Sequence, residues 1–389
     1  MAVYLDNNAT TALDEKVLEA MLPYMGQVTG NPSSVHRFGR LQKDAIEQAR
    51  ESVAQLVGAR ADQVVFTSGG TESNNLLLNG FGKRQADRHL NKGESGHIVI
   101  SAIEHMSLLE PAQHLSQPVD SIAADENGYI KLQAMEQVIT DETSLISVMT
   151  ANNETGVIQN LSPLIEYALA RDCFFHTDAS QAAGKIPLNF VESGLHAMTV
   201  SAHKLYGPVG AGALIVDKRL PLSRIQFGGS QEKNLRAGTE NVPAIVGFGK
   251  AAELAIAELQ DRSLHTRALR DALEKGLKRF NAVEIFAENA ERLPNTVQFG
   301  VKGFAGETLL MQLDRKAIAV SSGSACTSGK TEASHVLKAM KVADTLANSA
   351  IRVSFGKSNT MSDVDALLTA LNDIIEINRH SAVMMAASV

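Results

Sequence analysis

Residues 64–75 read VVFTSGGTESNN. Four apolar or β-branched residues end at a Ser-Gly-Gly turn, and a stretch of helical character opens at Thr71. The apolar run shows no polar alternation, so both of its faces need cover, as in a strand of a buried sheet. The same unit recurs along the chain. HIVIS (97–101) leads into the helical EHMSLLEPAQHL, and SLISVMT (144–150) precedes, after a loop, the helical LSPLIEYALARD. CFFHTD (173–178), AMTVSA (197–202) and GALIV (212–216) add further apolar runs. Apolar strands alternating with helices predict an α/β fold with a mostly parallel sheet covered on both faces.

Beyond these units the pattern changes. A long helical region rich in Ala, Leu and Glu runs from about Pro243 to Phe280. Short strands (TVQFG, AIAVSS, AIRVSFG) and helices (GETLLMQL, EASHVLKAM and 362–378) then predict a smaller α+β domain. The expected division is 15–258 for the larger domain, with 1–14 and 259–389 forming the smaller one.

A chain of 389 residues, 44% hydrophobic and 20% charged, has the composition of a soluble globular protein with room for a large core. Its net charge of -7 and lack of a basic run speak against a nucleic-acid surface. Two cysteines, Cys173 and Cys326, cannot build a disulfide framework or a structural zinc site. The opening MAVYLDNNATT lacks the basic and apolar regions of a signal peptide, and no stretch has the apolar length of a membrane span. The expectation is a protein of the reducing cytoplasm, with no nucleic acid and no membrane as partner.

In open α/β sheets, ligands bind beyond the carboxyl ends of the strands. Four polar segments stand there: SGGTESNN, EHMS, DASQ and HKLYGP. Gly69, Gly70 and Thr71 form a turn at a helix start, which suits a phosphate. Asp178 follows a very apolar strand and needs a cationic partner, such as a protonated pyridine nitrogen. Lys204, in a polar turn, is placed to form a Schiff base. Taken singly, each has an ordinary alternative: a helix cap, a local ion pair, a solvated lysine. Together they are the three anchors of pyridoxal phosphate. His105 and Asn153 also stand at strand ends, and a histidine there can stack on a ring and shuttle protons. Arg352, inside the apolar AIRVSFG, needs a carboxylate, either a ligand's or an internal one. Cys173 starts an apolar run and reads as a small buried hydrophobe. Cys326 lies in SSGSACTSGK, a segment of small and hydroxylic residues whose Gly323 and Gly329 give the backbone freedom. His176, Asp178 and His203 have no compact metal-ligand spacing.

These segments, with YLDNNATT, NPSSVHRFG, ANNETG, HTDASQAAGK, RAGTEN, LPNT and RVSFG, occur in an order that resembles the cysteine desulfurases of the nitrogen-fixation and iron–sulfur assembly group. That group belongs to the class V aminotransferase branch of the type I pyridoxal-phosphate fold. The resemblance implies a seven-stranded-type sheet in the large domain and a small domain carrying the cysteine loop. It implies pyridoxal 5'-phosphate as cofactor, bonded to Lys204, with His105 stacked on the ring and acting in proton transfer. Asp178 would pair with the pyridine nitrogen and Gln181 with the phenolic oxygen. Gly70, Thr71, Ser201 and His203 would hold the phosphate, with Thr239 reaching the phosphate of the neighbouring subunit of a homodimer. Asn153 and Arg352 would bind the carboxylate of L-cysteine, Asn153 also touching the cofactor, with Asn7 and Asn31 on the same pocket. Cys326 would take the sulfur as a persulfide and pass it to an iron–sulfur scaffold or another acceptor protein. No resident metal is implied, beyond a transient share by Cys326 in a scaffold-bound iron–sulfur cluster. Selenocysteine lyase and an ordinary class V aminotransferase are the neighbouring alternatives. A non-enzymatic binding protein would need neither Lys204 nor Cys326.

Overall fold

The computed structural model describes residues 2–89, 96–322 and 333–387, with backbone alone for 86–89 and 379–387. Cys326, Gly323 and Gly329 lie outside the described residues. The strands in chain order are β1 (Val3–Tyr4), β2 (Val64–Thr67), β3 (His97–Ser101), β4 (Val119–Ile122), β5 (Thr143–Ser147), β6 (Phe174–Asp178), β7 (Ala197–Ser201), β8 (Gly212–Val216), β9 (Val283–Ile285), β10 (Thr296–Val301), β11 (Ile318–Ala319), β12 (Ser321–Ser322) and β13 (Ala350–Ser354).

Seven of these form one sheet in the order β2-β8-β7-β6-β5-β3-β4. From β4 to β7 the pairings are parallel, while β8 runs antiparallel to both β7 and β2. The expected mostly parallel seven-stranded sheet is therefore present, and its strands other than β8 end at one edge. Its apolar runs serve two cores at once. Val64, Phe66, Val99, Ile146, Phe175, Met198 and Ile215 enter one buried cluster. Their chain neighbours Val65, Ile98, Ile100, Leu145, Ala197 and Leu214 enter another. Alternate side chains of a strand point to opposite faces, so a strand covered on both sides takes apolar residues or polar ones with hydrogen-bond partners. Each large side chain so buried contributes about 1.5–3 kcal/mol.

A four-stranded antiparallel sheet, β12-β13-β10-β9, has its own core, including Leu273, Phe299, Leu313, Ile351 and Leu371. Leu5 belongs to that core, and β1 pairs in parallel with β11. The run AIAVSS divides at Val320, its first half pairing with β1 and its second with β13. The long helical region also divides, into Val242–Ala257 and Leu259–Leu277, which meet at Glu258. Strand β4 has no counterpart in the sequence reading, because its VDSI pattern is half polar at the exposed edge of the sheet. No helix among the described residues is long and apolar enough to cross a membrane.

Candidate active site

The common edge of the strands opens onto a cavity of about 320 Å³. Gly70, Thr71, His105, Asn153, Asp178, Gln181, Ser201, His203, Lys204 and Arg352 all line it. These residues come from six separated segments, and the sheet brings them together by ending its strands side by side. Asn8, Ala9, Ser107 and Ser180 also line the cavity; they lie in the quoted segments YLDNNATT, EHMS and DASQ, but the sequence reading gives them no individual role.

One end of the cavity is built for an anion. The helix Gly70–His89 begins there, and a helix start presents unpaired N–H groups and a positive dipole end. Among the described residues, the buried hydroxyls of Ser180 and Ser201 have no hydrogen-bond partner. A buried hydroxyl left unpaired costs about 1–3 kcal/mol, so two of them facing one cavity are acceptor-seeking. A Cβ at Gly70 would stand 3.2 Å from the Ser180 oxygen and narrow this cradle. His203 Nδ1 lies 3.2 Å from Thr10 Oγ1. Burial, with Lys204 and Lys185 adding to it, pushes the His203 imidazole down to about 4, so it is neutral near pH 7. The donor set fits a phosphate group.

Deeper in, Asp178 closes strand β6. Its Oδ2 accepts from Asn74 Nδ2 at 2.8 Å and its Oδ1 from the Ser180 amide at 2.9 Å. Asn74 also donates to Ser107 Oγ at 2.8 Å, and that hydroxyl lies 2.8 Å from His105 Nδ1. His105 caps the helix Met106–Gln113, its Nδ1 accepting the Ser107 amide at 3.1 Å. With Nδ1 held as an acceptor, the neutral ring carries its proton on Nε2. Burial lowers the His105 pKa; the Asp178 charge opposes this, while Lys204 and His335 reinforce it. The neutral imidazole thus carries an Nε2–H donor beside a carboxylate suited to a pyridinium.

Lys204 ends the 3₁₀ turn Ala202–Lys204 that follows β7. Its Nζ donates to the main-chain oxygens of Asn8 at 2.5 Å and Ala9 at 2.7 Å. Gln181 Nε2 donates to the same Asn8 oxygen at 3.0 Å. The Asn8 side chain donates to Thr296 Oγ1 at 2.9 Å and to the Asn153 carbonyl at 3.2 Å. It accepts from Asn295 at 3.0 Å and Lys185 at 3.3 Å. Asn8 thereby ties the amino-terminal segment, both sheets and Lys204 into one buried network.

Arg352, on β13, reaches the cavity with an internal partner already in place. Its Nη2 lies 2.7 Å from Asp6 Oδ1, and its Nη1 donates to the Asn153 carbonyl at 3.1 Å. Of the two partners left open by the sequence, an internal carboxylate is present, on one face of the guanidinium.

Asn7 and Asn31, expected on the same pocket, do not line this cavity, and Thr239 is expected at the neighbouring subunit's site. Asn7 donates to the Ser354 carbonyl at 2.9 Å and lines a smaller cavity behind Lys204. Asn31 sits in an exposed turn and accepts from the Ser33 amide at 2.9 Å. Thr239 is exposed after the segment 231–238. It is Asn8, next in sequence to Asn7, that faces the cavity: a one-residue offset in an irregular segment has no periodicity to reveal it. Cys173 is buried, as expected of a small hydrophobe. His176 is occupied by Ser147 and Thr199, at 2.8 and 3.1 Å, within the sheet.

Comparison with known proteins agrees with this geometry. The family described as Aminotransferase class-V matches residues 3–367. A cysteine desulfurase IscS of Dictyoglomus turgidum is 42% identical over 378 residues, covering 96% of this chain and 94% of that protein. A solved structure titled NifS-like protein superposes with a TM-score of 0.90 at 35% identity, over 97% of this chain and 100% of that one. A NifS-like protein from Rickettsia africae gives 0.87 at 34% identity, with the same coverage. The chain is therefore a member of the class-V aminotransferase family.

Proposed function

We propose that this chain is a pyridoxal-phosphate-dependent cysteine desulfurase that supplies sulfur for iron–sulfur cluster assembly. The observation that carries the reading is the convergence of Lys204, Asp178, the Gly70–Ser180–Ser201 cradle and Arg352 on one cavity. Gly70, Thr71, Ser201 and His203 hold the cofactor's phosphate, Asp178 its ring nitrogen, Gln181 its phenolic oxygen and Lys204 its aldehyde carbon. When bound, the cofactor supplies an electron sink for the carbon bearing the substrate amine.

The chain's own residues do the rest. Arg352 and Asn153 bind the carboxylate of L-cysteine. Lys204 Nζ takes the proton from the substrate α-carbon, and His105 serves in proton transfer at the cavity wall. The Cys326 thiolate attacks the substrate sulfur, so an S–S bond forms as the C–S bond breaks. The β-carbon gains a proton in place of the sulfur, and the α-carbon regains the proton it lost. L-cysteine and the Cys326 thiol thus become L-alanine and a Cys326 persulfide, whose outer sulfur passes to a scaffold or other acceptor protein. Transient sharing of a scaffold-bound cluster by Cys326 belongs to the same reading.

The proposed working form is a homodimer of the cytoplasm, with Thr239 reaching the neighbouring subunit's phosphate. Exposed Leu22, Met25, Val35 and Phe38, at 53%, 63%, 89% and 60%, support an apolar surface that a second subunit covers. The division into 15–258 and 1–14 with 259–389 is supported by the separate core around β10 and β13.

The test is Cys326→Ala incubated with L-cysteine. Cofactor-dependent spectral changes persist, while protein persulfide and steady alanine release are lost. Wild-type turnover in that variant would refute the assignment.

A further inference from the structure

Lys185 lies outside the cavity that holds the reacting groups, yet it is bonded into their support. It lines the smaller cavity behind Lys204. Its Nζ donates to Gln181 Oε1 at 2.9 Å and to Asn8 Oδ1 at 3.3 Å. Gln181, four residues earlier, faces the main cavity, with its Nε2 on the Asn8 carbonyl at 3.0 Å.

A glutamine amide has a donor end and an acceptor end of nearly the same shape, so the partners must decide which end faces where. A lysine ammonium has donors only. Its contact with Oε1 therefore turns the carbonyl end of Gln181 away from the cavity and the NH₂ end toward it. We propose that Lys185 is a positioning residue that locks Gln181 in the donor-inward orientation, so that the site presents an N–H to an anionic oxygen of its cofactor. The inference rests on the cofactor reading above, in which that oxygen is the phenolic one.

The charged form of Lys185 suits the task because an ammonium cannot reverse the polarity of its contact. A flip of Gln181 would bring its NH₂ against the ammonium and its carbonyl oxygen against the Asn8 carbonyl, two repulsions in place of two hydrogen bonds. Neighbouring Lys204 and Arg352 add positive charge, and desolvation together with that charge brings the Lys185 pKa down to about 7. The neutral amine can still donate to Gln181 and Asn8 but also carries a lone pair that an NH₂ could fill, so it is the charged form that enforces the orientation.

The experiment is a double-mutant cycle on the full chain loaded with pyridoxal phosphate, read by the visible absorbance of the bound cofactor at fixed pH. The variants are Lys185→Met, Lys185→Arg, Gln181→Ala and the double substitution. The expected result is a change of about tenfold in the ratio of the cofactor's two protonation bands in Lys185→Met, the size of one hydrogen bond to a charged group. The change has the same direction as in Gln181→Ala, is restored by Lys185→Arg and is not enlarged in the double variant. An unchanged ratio in Lys185→Met, or effects that simply add, overturns the proposal. If Lys185→Met does not fold, failure of Lys185→Arg to keep the wild-type ratio overturns it instead. A wild-type chain that takes up no cofactor would sink the cofactor reading itself, which is a different outcome.

Discussion

The Asp178 carboxylate and the His105 imidazole are joined through Asn74 and Ser107, by three contacts of 2.8 Å each. Asn74 uses both hydrogens of one amide nitrogen, one for each branch. Converting Asn74 to Ala leaves the buried Asp178 oxygen without a side-chain donor and frees the Ser107 hydroxyl. The loss of a charge-assisted hydrogen bond is worth about 1.5–3 kcal/mol. Cysteine turnover should fall by at least about tenfold with weaker cofactor retention, both measurable by kcat and by equilibrium dialysis of the cofactor.

In the proposed reading, Asp6 and the substrate carboxylate would share one guanidinium, that of Arg352. The Asp6–Arg352 contact of 2.7 Å occupies one Nη, while the buried Arg352 Nε has no partner among the described residues. Asp6→Asn removes the competing charge. The expected outcome is a lower KM for L-cysteine with little change in kcat, together with some loss of stability from the unpaired guanidinium. A raised KM would show that Asp6 orients Arg352 rather than competes for it.

Glu104 sets a pH dependence of stability. Burial, with the Asp178 charge adding to it, raises its carboxyl to about 8 against opposing hydrogen bonds from Ser101 and Met149. Unfolded, it ionises in the ordinary carboxylate range, near 4.3. Between these values the folded chain keeps a proton that the unfolded chain has lost. This contribution to stability is full below the unfolded value and is lost as pH rises through about 8. Glu104→Gln should therefore gain on the wild type as pH increases from 5 to 8, measured by urea unfolding at several pH values. His176 and His203, both lowered to about 4 chiefly by burial, act oppositely. Their contribution is present above the unfolded histidine value and disappears as pH falls toward 4.

The segment before Thr239 is held by a buried ion pair. Arg50 binds Glu232 through both terminal nitrogens at 2.8 Å, and Glu232 also accepts the Phe66 amide at 2.7 Å. Residues 232–234 have φ of 41°, 60° and 61°, a left-handed run of non-glycine residues that the surrounding bonds must stabilise. Removing one partner of such a pair costs about 3–5 kcal/mol. Arg50→Met should lower the unfolding free energy by that order, seen in chemical denaturation. If Thr239 serves the neighbouring subunit, cofactor retention should weaken as well.

The strand-end residues were legible because local pattern marks them. Asp178 and Lys204 are polar residues directly behind continuous apolar runs, and that signal lies within about ten residues of chain. Asn8 carries no such mark. Asn8 is distinguished by bonds to Thr296, Asn295, Asn153 and Lys185, all more than 140 positions away. Asn74, inside the quoted VVFTSGGTESNN, was visible as a motif but not as the link between Asp178 and His105.

The amino-acid sequence alone determined the α/β character, the two-sided burial of the strands and the segments that bear the chemistry. Periodicity and turn residues act over a few residues, and those properties are local. The tertiary structure decided which amide faces the cavity, which carboxylate already pairs with Arg352, and that β8 runs against its neighbours. These depend on contacts between segments far apart in the chain, where one position of offset exchanges Asn7 for Asn8 and no local preference distinguishes them.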